Sequence, residues 1–284
     1  RVEMYVAGSL ARAYDLAYSY LTPYWHNQQD PGANPPYAQT VGLSKLVLVG
    51  IIEKDASGSA LPGTTFSYRQ GTISGTEQYK LQLQSVENGY GAVATYEYEL
   101  HTPDGWYKLP RRYRVKSYQT DPGTGSKDGV SPVVTQSYSY GTSYNVADSF
   151  DYRGHERVTV TDAEGNYTDS YFYTRDPING KTKTEVELLQ SRVYATERWA
   201  SGAAEYSTRE ETEWGITWTA SLSYFIHLEE SRRYSRTLAG GLQSRKSRYA
   251  YDGYGNTVSV KEYESATAGE DLWARNRISE YYPA

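Results

Sequence analysis

Alternation with a period of two runs through this chain and leaves few folds open to it. In ATYEYEL, Ala94, Tyr96, Tyr98 and Leu100 alternate with Thr95, Glu97 and Glu99. RVTVTD (157–162) and NTVSVKEY (256–263) repeat the pattern. Strict alternation sends successive side chains to opposite faces of a strand, so these segments are half-buried β-strands. The ring-bearing positions are mostly tyrosine, which makes up 31 of the 284 residues, while Leu, Ile, Val and Phe are sparse. Tyrosine must therefore carry much of the burial, about 150–250 Å² per ring, with its hydroxyl left to find a partner. A mean hydropathy of −0.73 would suit a disordered chain. Disorder, however, goes with few aromatics and high net charge. Here aromatics are 14% and the net charge is −5, so a folded all-β chain is expected.

The punctuation between strands is of hairpin type. Asn88-Gly89, Asp104-Gly105, Asn179-Gly180 and Ser201-Gly202 each separate two such runs. Asn-Gly and Asp-Gly supply the positive φ that tight hairpins need. In this reading KTKTEVELL (181–189) is the return strand after Asn179-Gly180, and Leu10–Tyr20 is a strand rather than a helix. The longest apolar run, Leu46–Ile52, has a strand's length and falls short of a membrane span. Two Pro/Gly-rich stretches, 21–40 and 119–132, read as long surface loops. Strand patterns resume on both sides of each, so residues 1–284 are expected to form a single β-sheet region belonging to a larger chain.

Self-similarity adds more. RYAYDGYGNTVSVKEY (248–263) has the form aromatic–x–aromatic–Asp–x–x–Gly–Asn followed by alternation, carried by Tyr249, Tyr251, Asp252, Gly255 and Asn256. VTVTDAEGNYTDSYFY (158–173) repeats the turn at Asp162, Gly165 and Asn166, and SFDYRGHERVTVTD (149–162) is a weaker copy. Physically this is a strand, a turn capped by an Asp side chain with Gly in the left-handed position, and a return strand. These residues resemble the YD-repeat, or Rhs-repeat, family of bacterial Rhs proteins and the B components of Tc insecticidal toxins. LSKLVLVGIIEKDASGSALPGTTFSYRQ (43–70), RAYDLAYSY (12–20) and ENGYGAVATYEYEL (87–100) fit the same picture. The resemblance implies antiparallel hairpin repeats forming a long spiralling sheet that walls a hollow shell, often enclosing a C-terminal toxin domain. For this chain it implies a section of such a wall.

Motifs for chemistry are scarce. There is no cysteine, hence no disulfide or thiolate chemistry. His26, His101, His155 and His227 are scattered, with no zinc-binding spacing. Gly180-Lys181-Thr182 lacks the preceding glycine of a phosphate loop, because Arg175 stands there. Asp162, Glu164 and Asn166, or Asp252 and Asn256, could be read as calcium ligands or as turn caps, and turn caps are the ordinary reading. RRYRVK (111–116), RRYSR (232–236) and RKSR (245–248) read as cross-strand Arg–Glu ladders rather than nucleic-acid contacts, given a pI near 5.5. Trp25, Trp199, Trp214 and Trp218 are candidates for a ligand surface that stacks on sugars, with core packing as the alternative. Asn166-Tyr167-Thr168 has the form of a glycosylation sequon.

These features lead to a non-catalytic structural scaffold without cofactor or metal, belonging to a secreted or cell-surface bacterial protein. Its expected partners are neighbouring repeat strands, an enclosed toxin domain or surface glycans, with no nucleic acid and no membrane span. An adhesion module binding glycan or protein through Tyr and Trp, and a self-assembling filament subunit, are the alternatives.

Overall fold

A computed structural model of the chain describes residues 1–21, 45–71, 80–101, 112–123, 133–146, 151–174, 180–219, 223–237, 239–266 and 273–278. The chain is almost entirely antiparallel β-sheet and falls into two units. The expected loop 21–40 lies outside the described residues except for Leu21, as do Asp104-Gly105, His26, Trp25 and most of 119–132.

In the first unit, strands follow one another in space as in sequence. They are β1 (Val2–Val6), β2 (Ser9–Leu21), β3 (Lys45–Lys54), β4 (Thr64–Gly71), β5 (Lys80–Glu87), β6 (Val93–His101), β7 (Arg112–Asp121) and the start of β8 (Val134–Tyr140). The apolar run at Leu46–Ile52 lies in β3, and Leu10–Tyr20 lies in β2, as the alternation requires.

The second unit opens with a separate hairpin, β9 (Ser143–Val146) and β10 (Asp151–His155). A meander follows, in the order β11 (Arg157–Thr161), β12 (Tyr167–Phe172), β13 (Val193–Trp199), β14 (Thr208–Thr219), β15 (Ser223–Arg236), β16 (Leu242–Tyr251), β17 (Thr257–Tyr263) and β18 (Trp273–Ile278). The segments 158–173 and 248–263 lie across β11–β12 and β16–β17.

One strand expectation is corrected. KTKTEVELL contains a short helix, α1 (Lys183–Leu188), in place of a return strand. Thr182 and Glu185 form a reciprocal capping box, the side chain of each bonding to the other's backbone N–H. Val186 and Leu189, three apart and therefore on one helical face, are fully buried with Tyr173 against Trp214, Ile216 and Ile226. The spacing of those two apolar residues decides for helix over the alternating threonines. Few aliphatic side chains are fully buried elsewhere, which agrees with the sparse aliphatic composition.

Candidate functional site

The repeat turns are built alike. In 252–256 the Asp252 N–H donates to the Asn256 carbonyl (3.0 Å) and the Gly255 N–H to the Asp252 carbonyl (3.1 Å). The Asp252 carboxylate accepts from the N–H groups of Tyr254 (2.9 Å) and Asn256 (2.8 Å) and from the Asn256 side-chain amide (2.9 Å). Asp162 holds Glu164 and Asn166 in the same way, at 3.0, 2.8 and 3.0 Å. Gly165 and Gly255 sit at φ +84° and +87°, closing a three-residue loop with a left-handed last position. The donors of Asn256 and Asn166, opposed by burial and helped by the backbone N–H groups, hold both carboxyls below the usual carboxylate range. Oxygens so occupied are turn caps.

Sequence reasoning missed two further turns of this construction, Asp55–Ser59 and Thr237–Gly241. In each, the first residue caps the fifth, and Gly58 or Gly240 has φ near +80°. Asn88 caps Tyr90 and Ala92 in a related turn. The common signal, Asp/Asn/Thr–x–x–Gly–x, was present in the sequence.

A second element recurs at the other end of these hairpins. In β3, β5 and β15 one residue bulges out of the pairing, at Val49, Gln84 and Glu229, immediately after a leucine. There the ladder to the following strand stops, at Gly50↔Thr65, Ser85↔Thr95 and Glu230↔Arg248. Three residues beyond each of these last partners stands a tyrosine whose hydroxyl donates to the leucine carbonyl. Tyr68 reaches Leu48 at 2.7 Å, Tyr98 reaches Leu83 at 2.8 Å and Tyr251 reaches Leu228 at 2.9 Å. Each is the second aromatic of an aromatic–x–Tyr triplet, Phe66-x-Tyr68, Tyr96-x-Tyr98 and Tyr249-x-Tyr251. The hairpin is thus closed at its turn by a capping side chain and at its open end by a tyrosine.

The Tyr–Asp dipeptide acquires a physical meaning from this. Tyr251 closes the hairpin β15–β16, and the next residue, Asp252, caps the turn of β16–β17. The Tyr251 ring also packs edge-on against Phe225 and His227, with centroids at 5.6 and 5.0 Å. Tyr249 approaches Ser231 instead, its hydroxyl 3.4 Å from Oγ.

Charged side chains form the expected ladder across β13–β16. Arg209 bonds Glu197 (2.6 Å) and Glu211 (2.8 Å). Arg232 reaches Glu211 (3.8 Å) and Glu230 (2.5 Å), and Glu230 also takes Arg248 (2.5 Å). Glu197 and Glu230 are buried, so the arginines compensate carboxylates already removed from water. In the first unit Arg114 pairs with Glu99 at 2.6 Å. The Tyr171 hydroxyl donates to Glu197 at the end of this ladder. Burial first, then the charges of Glu197 and Asp169, push its pKa up to about 12. An open trough of ≈ 1060 Å³ crosses β14–β17 between Arg232, Lys246, Glu211 and Glu262.

Among the described residues, Trp199, Trp214 and Trp218 each have their own surroundings. Trp199 stacks flat on Tyr167, with centroids 5.6 Å apart and planes 8° apart. Trp214 lies under Arg192 and donates to the Val193 carbonyl (2.9 Å) beside the helix core. Trp218 is 59% exposed near the tip of the β14–β15 hairpin, with Tyr224 edge-on at 5.6 Å. The Asn166 side chain is engaged by Asp162 and by the Ser201 N–H (3.0 Å). Among the described residues no group of three or more His, Asp or Glu side chains is placed to hold a metal, and no helix is long and apolar enough to cross a membrane.

No family model matches the sequence, and no curated protein matches it. Solved structures do match in fold. The chain is similar to the crystal structure of TcdB2-TccC3, with a TM-score of 0.53 and 11% identity over 85% of this chain and 17% of that one. The crystal structure of TcdB2-TccC3 without its hypervariable C-terminal region gives 0.52 and 12%, over 85% and 16%. That of TcdB2-TccC3-Cdc42 gives 0.53 and 12%, over 85% and 16%. The likeness is one of fold, and the chain spans about a sixth of the length of these structures.

Proposed function

We propose that the chain is a non-catalytic scaffold, a section of the wall of a large secreted or surface Rhs/YD-repeat protein that encloses or delivers a toxin. The observation that carries this is the doubly closed hairpin, repeated at β3–β4, β5–β6 and β15–β16. Its recurring side-chain bonds go to backbone groups of the sheet itself. The side chains that recur from hairpin to hairpin cap turns and carbonyls, which is what a wall requires. The resemblance of the repeats to Rhs proteins and Tc toxin B components, and the likeness in fold to TcdB2-TccC3, support the same reading. The test is cryo-electron microscopy of the natural polypeptide that contains this chain. A hollow body with these strands as a contiguous strip of its wall is the expected result. A chain standing free of any enclosing sheet would overturn the reading.

A second reading, adhesion, draws on Trp218 and Tyr224, exposed together at one hairpin tip. It predicts glycan-array binding that Trp218→Ala abolishes. No binding across a broad array counts against it.

A further inference from the structure

The turn at Asn88-Gly89 carries a chemistry that a scaffold does not use. Asn88 stands where Asp55, Asp162 and Asp252 stand in the other turns. Its side-chain oxygen Oδ1 accepts from the N–H groups of Tyr90 (2.9 Å) and Ala92 (3.0 Å). Its own N–H donates to the Ala92 carbonyl at 3.0 Å, which fixes the turn around the amide. Paired backbone donors on one carbonyl oxygen draw electrons from Cγ and stabilise negative charge that develops on that oxygen. The nitrogen of Gly89 is placed to be the nucleophile. Its attack on Cγ closes a cyclic imide, and glycine has no side chain to shield it. Asn88 and Gly89 are both exposed, so solvent base can take the Gly89 amide proton.

We propose that Asn88 is a self-modifying cap, whose own turn drives its deamidation to aspartate. The Gly89 nitrogen, losing its proton to solvent, bonds to Asn88 Cγ, and the side-chain amide nitrogen leaves as ammonia. Water then adds to the imide at Cγ, the new Cγ–N bond breaks, and the Gly89 nitrogen regains a proton. Water is consumed and ammonia released, with no oxidant or reductant. Attack of water on the other imide carbonyl, the former backbone carbonyl of Asn88, would give isoaspartate and lengthen the main chain by a methylene. The turn opposes that route. The Tyr90 and Ala92 N–H groups activate Cγ rather than the backbone carbonyl. Gly89 is also packed so closely that a Cβ there would lie 2.5 Å from the Gly63 carbonyl oxygen, which leaves no slack for a longer chain. Aspartate at this position caps the turn as Asp55, Asp162 and Asp252 do, with a charged and therefore stronger acceptor.

The test incubates the folded 284-residue chain and the free tryptic peptide 81–108, in which Asn88 is the sole asparagine, side by side in mildly alkaline buffer. Liquid chromatography with mass spectrometry follows residue 88, and isoaspartyl methyltransferase labelling counts isoaspartate. The folded chain should convert at least about threefold faster than the peptide and yield mostly aspartate, because its donors are in place before the attack. Ala92→Pro deletes one donor and should slow the folded chain towards the rate of the peptide, with a thermal melt to show that the variant is folded. Asn88→Asp, the product made directly, should melt at or above the native midpoint. A folded chain that converts no faster than the peptide, or that yields mostly isoaspartate, would overturn the proposal. So would a folded Ala92→Pro variant that converts as fast as the native chain, or a lowered midpoint for Asn88→Asp.

Discussion

Removing one oxygen atom from Tyr251 is the sharpest test of the hairpin closure. Tyr251→Phe keeps the ring and its edge-on contacts with Phe225 and His227, but deletes the donor 2.9 Å from the Leu228 carbonyl. Water cannot fully replace it, because the ring is half-buried and the ladder between β15 and β16 has already ended at Glu230↔Arg248. A typical net hydrogen bond is worth about 1 kcal/mol, and a buried carbonyl left without a partner costs about 1–3 kcal/mol. Partial wetting places the loss near 1–1.5 kcal/mol. For a domain of this size that lowers the melting midpoint by roughly 2–6 °C. Tyr68→Phe and Tyr98→Phe remove the equivalent bonds at 2.7 and 2.8 Å and should cost about the same. They share no partner with Tyr251, so the losses should add. The control is Tyr254→Phe, whose side chain is 90% exposed at a turn tip and should change stability by under about 0.5 kcal/mol. Melting followed by far-ultraviolet circular dichroism reads the difference. Equal midpoints for Tyr251→Phe and Tyr254→Phe would refute the claim that these hydroxyls hold the hairpins shut.

Two other perturbations act at the turns. Gly255→Val and Gly58→Val both force a β-branched residue to φ near +86°, but only at Gly255 does a new Cβ meet the Phe225 ring, at 3.1 Å. Both should destabilise by about 1–2 kcal/mol from the backbone alone, with a further loss at Gly255 that thermal melts resolve. Equal melts at the two sites would remove the ring contact from the account. The capping carboxyls make acid stability a readout. Hydrogen bonds to Asp55, Asp162 and Asp252 hold their folded carboxyls below the ordinary carboxylate range, so their contribution is complete above about pH 4. It is lost as pH falls through the depressed folded values. A variant carrying Asn at all three positions should have a flatter acid limb in melting midpoint against pH, and an unchanged limb would show the caps to be idle.

Much of this was legible in the sequence because its signals are local. Alternation over five to ten residues fixes which side chains share a face, so β2, β6, β11 and β17 follow directly. Asp–x–x–Gly–Asn gathers its donors and acceptors within five residues, and the turns at Asp162 and Asp252 were visible for that reason. The basic runs 232–236 and 245–248 announced the part of the ladder made by Arg232 and Arg248, while Arg209 stood outside them. What escaped was non-local or small. A one-residue bulge at Val49, Gln84 or Glu229 leaves the pattern of alternation almost unchanged. The leucine and tyrosine it joins are separated by 20, 15 and 23 residues, with no fixed spacing to detect. The helix was misread because Thr182 and Glu185 had to be taken as a capping box before Val186 and Leu189 could be taken as one face.

The bulge and the tyrosine explain each other. A bulge adds local twist to a strand pair, which a sheet needs if it is to bend, but it breaks the ladder and leaves a carbonyl without its partner. Phenylalanine could cover that place and leave the carbonyl unpaired. Serine could bond the carbonyl and leave the place open to water. Tyrosine does both, since its ring seals the splayed end while its hydroxyl reaches the oxygen. The bulged strands β3, β5 and β15 therefore each have such a tyrosine on the strand that follows. The rings of Tyr68, Tyr98 and Tyr251 are half-buried in this role. The next residue is free to begin the following turn, which places an aspartate directly after Tyr251.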